Sequence, residues 1–336
     1  MTSETEMLTI RDFDYEGGDY EAAVRIHNAL WPDNEETAQE WRFWDESRGP
    51  ESMHERLIGE ADGRVVACAS YGESPWAHVP GKYFLDILVL QDSQRRGYGS
   101  AIFDHILECL DGRDPAPRVL TSWTREDKAD SVRFLAKRGF AEGLRLEVSR
   151  LSLDSFDRER FSAYETRCED LGLAVRTVAD LSESDPDWKR KLYEFQWEIT
   201  QDVPMDDPPT KLPFDTWQKK FASPTFLPEA WFMAVDGDRY VGMSTLWLCM
   251  GDRKKLWTGM TGVSRDYRRK GVATALKLRA IEYAKKRGVE FLETDNEESN
   301  PMYAINVRLG FEPQPAWREY RKTLTEDGEA GPPASG

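Results

Sequence analysis

Two short stretches of this sequence place a glycine and several cations directly before a helical pattern. One is Arg268-Arg269-Lys270-Gly271-Val272-Ala273-Thr274, which follows the apolar run Met260-Thr261-Gly262-Val263. A loop at a helix start points several free N–H groups at one place, where the helix dipole also favours negative charge. Gly271 lets the backbone approach a ligand because it has no Cβ. This combination suits the phosphates of a nucleotide-like ligand.

The other stretch, Gln94-Arg95-Arg96-Gly97-Tyr98-Gly99-Ser100, has the same context. In both halves a strand, an Asp-Gly turn and a second strand come first, and the turn glycine lies 34 positions before the loop glycine (97 − 63 and 271 − 237). Each loop is then followed by a helix, a strand, a helix and a Gly-Phe pair, Gly139-Phe140 or Gly310-Phe311. The sequence therefore predicts one unit present twice.

Composition limits the class of protein. The chain has 336 residues, a net charge of -16 and a pI of about 4.9, which disfavour binding to nucleic acid or to an anionic membrane. Its apolar runs are too short to span a bilayer and no signal-peptide core is present, so a cytoplasmic protein is expected. The four cysteines and four histidines show no metal-ligand spacing, so we expect no metal and reduced cysteines.

The patterns predict an α/β protein with hairpins, built from two domains. We place the first at residues 1–152 and the second at 173–324, joined by a charged helical linker at 153–172. Residues 325–336, with Gly331-Pro332-Pro333, have a composition typical of a disordered tail.

Both halves resemble the GNAT superfamily of acyl-CoA-dependent N-acyltransferases. The family's signature, Gln or Arg followed by x-x-Gly-x and Gly or Ala, is matched at Gln94, Gly97 and Gly99 and again in the second loop. The second half also resembles a bacterial tandem subgroup that includes mycothiol synthase, in Thr261-Gly262-Val263 and in the stretch from residue 300 to 311. The resemblance implies an α/β (α+β) fold of two tandem domains, each a mixed, curved sheet flanked by helices with two central strands splayed apart.

The resemblance also implies acetyl-CoA as the acyl donor, with loop amides around its pyrophosphate and the pantetheine arm between the splayed strands. The cofactor-binding residues expected on this basis are Val89, Gln94, Arg95, Arg96, Gly97, Tyr98, Gly99, Ser100, Thr261, Gly262, Val263, Arg268, Arg269, Lys270, Gly271, Val272, Ala273, Thr274, Asn296 and Asn300.

Attack of an amine on a thioester needs a proton acceptor, a donor to the carbonyl oxygen and a proton for the leaving thiolate. The resemblance assigns the donor to a backbone N–H, at Val263 and, in the first half, at Val89. The tyrosine that many relatives use for the thiolate is replaced by Asn306 and, in the first half, by Leu135. Tyr303 lies one helical turn before Asn306, so the candidate catalytic residues are Tyr303, Asn306 and Val263.

The general base stays open. The central strand of the second half carries no carboxylate, and Asp86 in the first half could act as a base or point to solvent. In the loop after the first helix of the second half, Asp206 and Asp207, with Asp202 nearby, could recognise a cationic amine or simply be solvated.

The asparagines of the second half favour that half as the active one, with the first half binding acyl-CoA weakly or serving structure. We therefore predict an acetyl-CoA-dependent N-acetyltransferase acting on a small-molecule amine, as a monomer or homodimer. Two alternatives are a non-catalytic acyl-CoA sensor or scaffold and an acetyltransferase for proteins or peptides.

Overall fold

The computed structural model describes residues 7–50 and 52–324, so the expectation for residues 325–336 lies outside it. The described residues form two compact units. Residues up to Leu144, together with those from Trp317 onwards, make the N-terminal unit, and Arg145–Ala316 make the C-terminal unit. None of the described helices has both the length and the apolar character needed to cross a membrane.

Strands and helices alternate along the described chain. The strands are β1 (Thr9–Asp12), β2 (His54–Ala61), β3 (Arg64–Gly72), β4 (Lys82–Val89), β5 (Val119–Arg125), β6 (Ala141–Ser152), β7 (Ala174–Thr177), β8 (Phe226–Asp236), β9 (Arg239–Leu248), β10 (Lys255–Val263), β11 (Phe291–Glu297), β12 (Glu312–Pro313) and β13 (Trp317–Thr323). The helices are α1 (Asp19–Leu30), α2 (Ala38–Ser47), α3 (Tyr98–Leu110), α4 (Ala129–Ala136), α5 (Arg167–Asp170), α6 (Val178–Ser184), α7 (Trp188–Thr200), α8 (Phe214–Gln218), α9 (Val272–Arg287) and α10 (Pro301–Leu309).

The N-terminal unit is a mixed sheet in the order β1-β2-β3-β4-β5-β13 with helices on both faces. On one face Ile26 of α1 packs against Leu88, and on the other Ile102 of α3 packs against Leu85. Strands β4 and β5 are parallel but pair at only three positions, from Lys82 opposite Val119 to Phe84 opposite Thr121. Beyond these positions the two strands separate, as the resemblance implies.

The C-terminal unit repeats this plan in the order β7-β8-β9-β10-β11-β6, with β12 pairing on β6. Leu276 and Ile281 of α9 cover one face of the sheet, and Leu192 and Ile199 of α7 cover the other. The parallel strands β10 and β11 also pair at three positions only, the last joining Trp257 and Glu293. The predicted α/β fold with two tandem units, each a mixed sheet flanked by helices, is confirmed.

The closing strands do not follow the sequence repeat. Strand β6 comes after the first Gly-Phe pair, yet its residues 146–152 pair with β11 of the C-terminal unit. Strand β13, at the end of the chain, pairs with β5 at seven positions and completes the N-terminal sheet. The predicted boundaries at residues 152 and 173 follow the sequence repeat. The N-terminal compact unit instead ends at Leu144 and also includes the residues from Trp317 onwards. Because β5 and β11 are equivalent copies, a repeat pattern cannot show which of them a closing strand joins.

This arrangement predicts that a residue near the end of the chain stabilises the N-terminal unit. Tyr320 is 3% exposed within that unit's core, and Tyr320→Ala should cost about 3–5 kcal/mol there, as for other large aromatic side chains. Hydrogen exchange should then accelerate in β5 and not in β10. Phe311→Ala, in the core of the C-terminal unit, is the matched control and should accelerate β10 instead. Faster exchange in β10 after Tyr320→Ala would contradict the assignment.

Candidate functional site

The two glycine loops have the same backbone conformation. Gly97 has φ 91° and ψ -7°, and Gly271 has φ 87° and ψ 0°. Two residues earlier, Arg95 and Arg269 have φ values of 65° and 58°. A non-glycine residue at positive φ is uncommon, so its recurrence at the matching position indicates that one loop geometry is built twice.

A side chain braces each loop against the end of the preceding strand. Gln94 Nε2 donates to the carbonyl of Val89, and Arg268 Nε donates to the carbonyl of Val263, both at 2.9 Å. The first residue of the signature therefore ties the loop to the strand end at the edge of the splay. This explains why Gln and Arg, which both have a side-chain N–H at suitable reach, are interchangeable there.

The helix starts after the loops have no side-chain caps. Neither Gly97 nor Gly271 offers a side chain to the first amides of α3 or α9, so these N–H groups can donate to a ligand. Arg95, Arg269 and Lys270 are exposed beside them. The residues fit a diphosphate, because free amides, a helix dipole and cations converge at one place.

The other predicted cofactor residues lie around these loops. Tyr98, Gly99 and Ser100 form the first turn of α3, and Val272, Ala273 and Thr274 form the first turn of α9. Thr261, Gly262 and Val263 end β10, where the Thr261 hydroxyl lies 3.1 Å from that of Ser244. A Cβ added to Gly262 would lie 2.6 Å from Ile199 of α7, so only glycine fits against that helix.

A cavity of about 810 Å³ passes through the sheet of the N-terminal unit. Leu85 and Ile87, which face α3, line it together with Leu88, which faces α1. Residues from both faces meet in one cavity because β4 and β5 have separated at this level. The loop residues from Gln94 to Ser100 line one end of the cavity, and Trp31 and Pro32 line another part of it.

Asp86 is among the residues that line this cavity, and its role as a base stays a prediction. Its side chain is accessible, but the protein around it raises the pKa of the carboxyl by desolvation. The charges of His27 and Arg56 oppose this rise, whereas that of Glu36 adds to it. Asp86 therefore combines a place in the cavity lining with a raised pKa.

Two of the three predicted asparagines of the C-terminal unit contact each other. Asn306 is 1% exposed, and its Nδ2 donates to Oδ1 of Asn296 at 2.7 Å. Asn300 caps α10, because its side chain accepts from the N–H of Met302 at 2.9 Å. Tyr303 lies half-buried in the first turn of the same helix. The cap at Asn300 was missed in the sequence, although Asn before Pro301 is a recognisable helix start.

Sequence reasoning also missed Asp295. It lies on β11 two residues beyond the last pair with β10, where Asn296 faces α10 and Asp295 therefore faces the opposite side of the sheet. On that face Glu293 is paired with Arg150 and Lys255, whereas no ion pair reaches Asp295 within the described residues. Burial raises the pKa of Asp295 to about 6. Its alternation with Glu293 along β11, which places both carboxylates on one face of the strand, was the available signal.

The three acidic residues of the loop after α7 differ in their surroundings. Asp202 forms ion pairs with both Arg265 and Arg268, and these guanidinium groups lower its pKa to about 2. Its carboxylate is therefore committed to the cations beside the glycine loop. Asp206 is exposed and Asp207 is half-buried in the same segment, and their role towards an amine stays a prediction.

The two loops differ in what lies against them. A Cβ added to Gly97 would meet nothing within 4 Å, but one added to Gly271 would lie 3.1 Å from both Tyr164 and Arg167. Arg167 Nε also donates to the carbonyl of Lys270 at 2.6 Å. The segment before β7 therefore packs on the glycine loop of the C-terminal unit, while the N-terminal loop is open at the matching place.

Comparison with known proteins agrees with the repeat of one unit along the chain. The model of the Acetyltransferase (GNAT) family matches residues 20–140 and again residues 189–311, and the chain belongs to that family. No curated protein matches the chain.

Among solved structures, a tandem GNAT protein from the clavulanic acid biosynthesis pathway is similar with a TM-score of 0.73 and 18% identity, over 98% of this chain and 100% of that one. A GCN5-related N-acetyltransferase from Sphaerobacter thermophilus has a TM-score of 0.65 and 19% identity, over 94% and 95%. At these identities the similarity concerns the fold alone.

The contrast between the loops predicts unequal costs for one substitution. Gly97→Ala should cost about 1–2 kcal/mol, because an L-residue is strained at this positive φ. Gly271→Ala carries the same strain and also crowds Tyr164 and Arg167, which adds about 1–3 kcal/mol. Urea unfolding of the two full-length variants measures both costs. Equal costs would contradict the packing of Tyr164 and Arg167 on the second loop.

Proposed function

We propose that this protein is an acetyl-CoA-dependent N-acetyltransferase for a small-molecule amine, with its main acceptor site in the C-terminal unit. The observation that carries the proposal is the braced glycine loop, which stands in each unit beside a parallel strand pair that opens after three positions. A diphosphate bound at the loop amides directs the attached pantetheine arm along the strand end into this opening.

The acceptor amine must lose a proton, since a free alkylamine has a pKa near 10 and is mostly charged at neutral pH. We assign the proton acceptor in the C-terminal unit to Asp295, which faces the α7 side of the sheet beside the opening. A carboxylate without an ion-pair partner attracts a cationic amine and then accepts its proton. Asp206 and Asp207 supply further negative charge for such a substrate.

Two other groups complete the assignment. The N–H of Val263, at the end of the splayed strand, would stabilise negative charge on the carbonyl oxygen. The hydroxyl of Tyr303 would donate a proton to the leaving thiolate, in place of the tyrosine that Asn306 replaces. Asn306 is bound to Asn296 and holds α10 against β11, so its part is to position Tyr303.

The test is thiol release from acetyl-CoA over a panel of small amines. Gly271→Glu adds a negative charge to the loop and crowds Tyr164 and Arg167, and it should lower acetylation of the main acceptor at least about 100-fold through charge repulsion and lost loop contacts. Gly97→Glu makes the same change in the other loop and should leave that reaction in place. Unchanged acetylation in Gly271→Glu would refute the C-terminal assignment.

Asp295 gives a second, independent prediction. Because a pKa of about 6 leaves the carboxyl protonated at lower pH, turnover of the main acceptor should fall as the pH drops through about 6. Asp295→Asn should lower kcat/KM by about 100-fold or more and remove this acid limb. Glu298→Gln, an exposed change in the following turn, is the control and should keep the limb. An unaltered pH profile in Asp295→Asn would exclude Asp295 as the base.

The same assays decide between the proposal and its alternatives. Calorimetric binding of CoA without thiol release from any amine would indicate an acyl-CoA sensor. Release that requires peptides, and not metabolite-sized amines, would indicate an acetyltransferase for proteins or peptides.

A further inference from the structure

Each unit places a carboxylate at its strand opening, but the two carboxylates lie on different strands of the splayed pair. Val89 and Val263 each lie eight residues before the loop glycine (97 − 89 and 271 − 263), so Asp86 and Met260, three residues earlier, correspond. Across the opening, Trp123 and Asp295 each lie four residues after the first position that pairs with the neighbouring strand. The N-terminal unit has Asp86 on β4 and Trp123 on β5. The C-terminal unit has Met260 on β10 and Asp295 on β11.

All four side chains face the same side of their sheets, away from α3 or α9. Leu88, two residues after Asp86, packs with Ile26 of α1, and Met260 packs with the residues of α7. On β5, Leu120 packs on the α3 side, so Trp123 faces the α1 side. In an acyltransferase with the carrier bound at α3, the α1 side is where an acceptor amine approaches the opening.

We propose that the N-terminal unit is a second acyl-transfer site, in which Asp86 receives the proton of an amine different from the acceptor of the C-terminal unit. The inference rests on the proposed use of acetyl-CoA, but it does not depend on which reaction the C-terminal unit performs. In the N-terminal unit Gln94 braces the loop, and a Cβ added to Gly97 would meet nothing within 4 Å. The cavity of this unit is lined by residues from both faces of the sheet, Asp86 among them.

The lining of the cavity indicates the acceptor's chemistry. Trp31, Pro32 and Trp123 line it with Leu88 and Asp86, and the same lining includes Asp127, Asp130 and Lys128, whose ammonium lies 4.7 Å from the centre of the Trp31 ring. Two acids near Trp31, Asp33 and Asp127, are both ion-paired with Arg125. These surroundings suit a primary amine with an apolar or aromatic body. A carboxylate on the carbon that bears the amine would lie beside Asp86, which repels it, whereas Lys128 and Arg125 lie further off, over Trp31.

The reaction balances without another reactant. The amine nitrogen forms a bond to the thioester carbon, the C–S bond breaks, and its electron pair leaves with sulfur. The proton released from nitrogen passes to Asp86, and the thiolate takes one proton from solvent. The products are the N-acyl amine and free CoA thiol.

The experiment uses the full-length Gly271→Glu variant, so that the C-terminal loop is blocked. With acetyl-CoA, 2-phenylethylamine should be acetylated at least about tenfold faster than phenylalanine, which differs by the added carboxylate. In this background Asp86→Asn should lower turnover about 100-fold or more, while calorimetry still shows CoA binding. Asp111→Asn, an exposed residue at the end of α3, is the control and should change turnover less than about twofold.

Each result decides the matter. Retained CoA binding with lost turnover in Asp86→Asn supports the second site. If Gly271→Glu still binds CoA but releases no thiol with any amine, or if Asp86→Asn turns over normally, the second site is refuted while the C-terminal assignment can stand. If wild-type turnover survives Gly271→Glu in full and is lost in Asp86→Asn, the C-terminal assignment fails and the second site stands. Gly97→Glu, which targets the loop and not the base, should also abolish the turnover that remains in Gly271→Glu.

Discussion

The site in each unit depends on one short hydrogen bond between a side chain and the end of a strand. Gln94 and Arg268 hold the carbonyls of Val89 and Val263, and this bond fixes the loop where the parallel strands have separated. The opening alone would expose unpaired backbone groups of β4 and β10. The loop alone would be a basic helix start, and together they place its free amides and cations beside the strand opening.

Fixing the loop has a cost in backbone strain. Arg95 and Arg269 are held at positive φ, where an L-residue loses about 1–2 kcal/mol relative to a right-handed conformation. Gly97 and Gly271 occupy the same region without that cost. Strain that recurs at the matching residue of both units indicates a conformation that the surrounding hydrogen bonds enforce, since relaxed loops would have no reason to share it.

Much of this arrangement could be predicted from the sequence, for a local reason. The Asp-Gly turns, the loop glycines and the glycines that end α9 and α10 each impose a backbone conformation on their immediate neighbours, and the turn and loop glycines repeat at equal spacing in the two halves. The exchange of β6 and β13 could not be predicted, because strand pairing depends on which of two equivalent edges is reached in three dimensions. Asp202 is a similar case, since its ion pairs with Arg265 and Arg268 join segments more than 60 residues apart.

The carboxylates Asp86 and Asp295 lie at non-equivalent positions of the two units, although the loops beside them are equivalent. The loop and its brace keep the same geometry in each copy, as the proposed binding of one kind of diphosphate in both units would require. A proton acceptor has no such constraint, since either strand beside the opening can project a side chain towards the same carbonyl carbon. Asp86 lies on the first strand of its pair, opposite Trp123, whereas Asp295 lies on the second strand of its pair, opposite Met260. An amine placed against Asp86 on β4 would meet Met260 at the corresponding place in the other unit, which is why the proposed acceptors of the two units differ in how they present nitrogen.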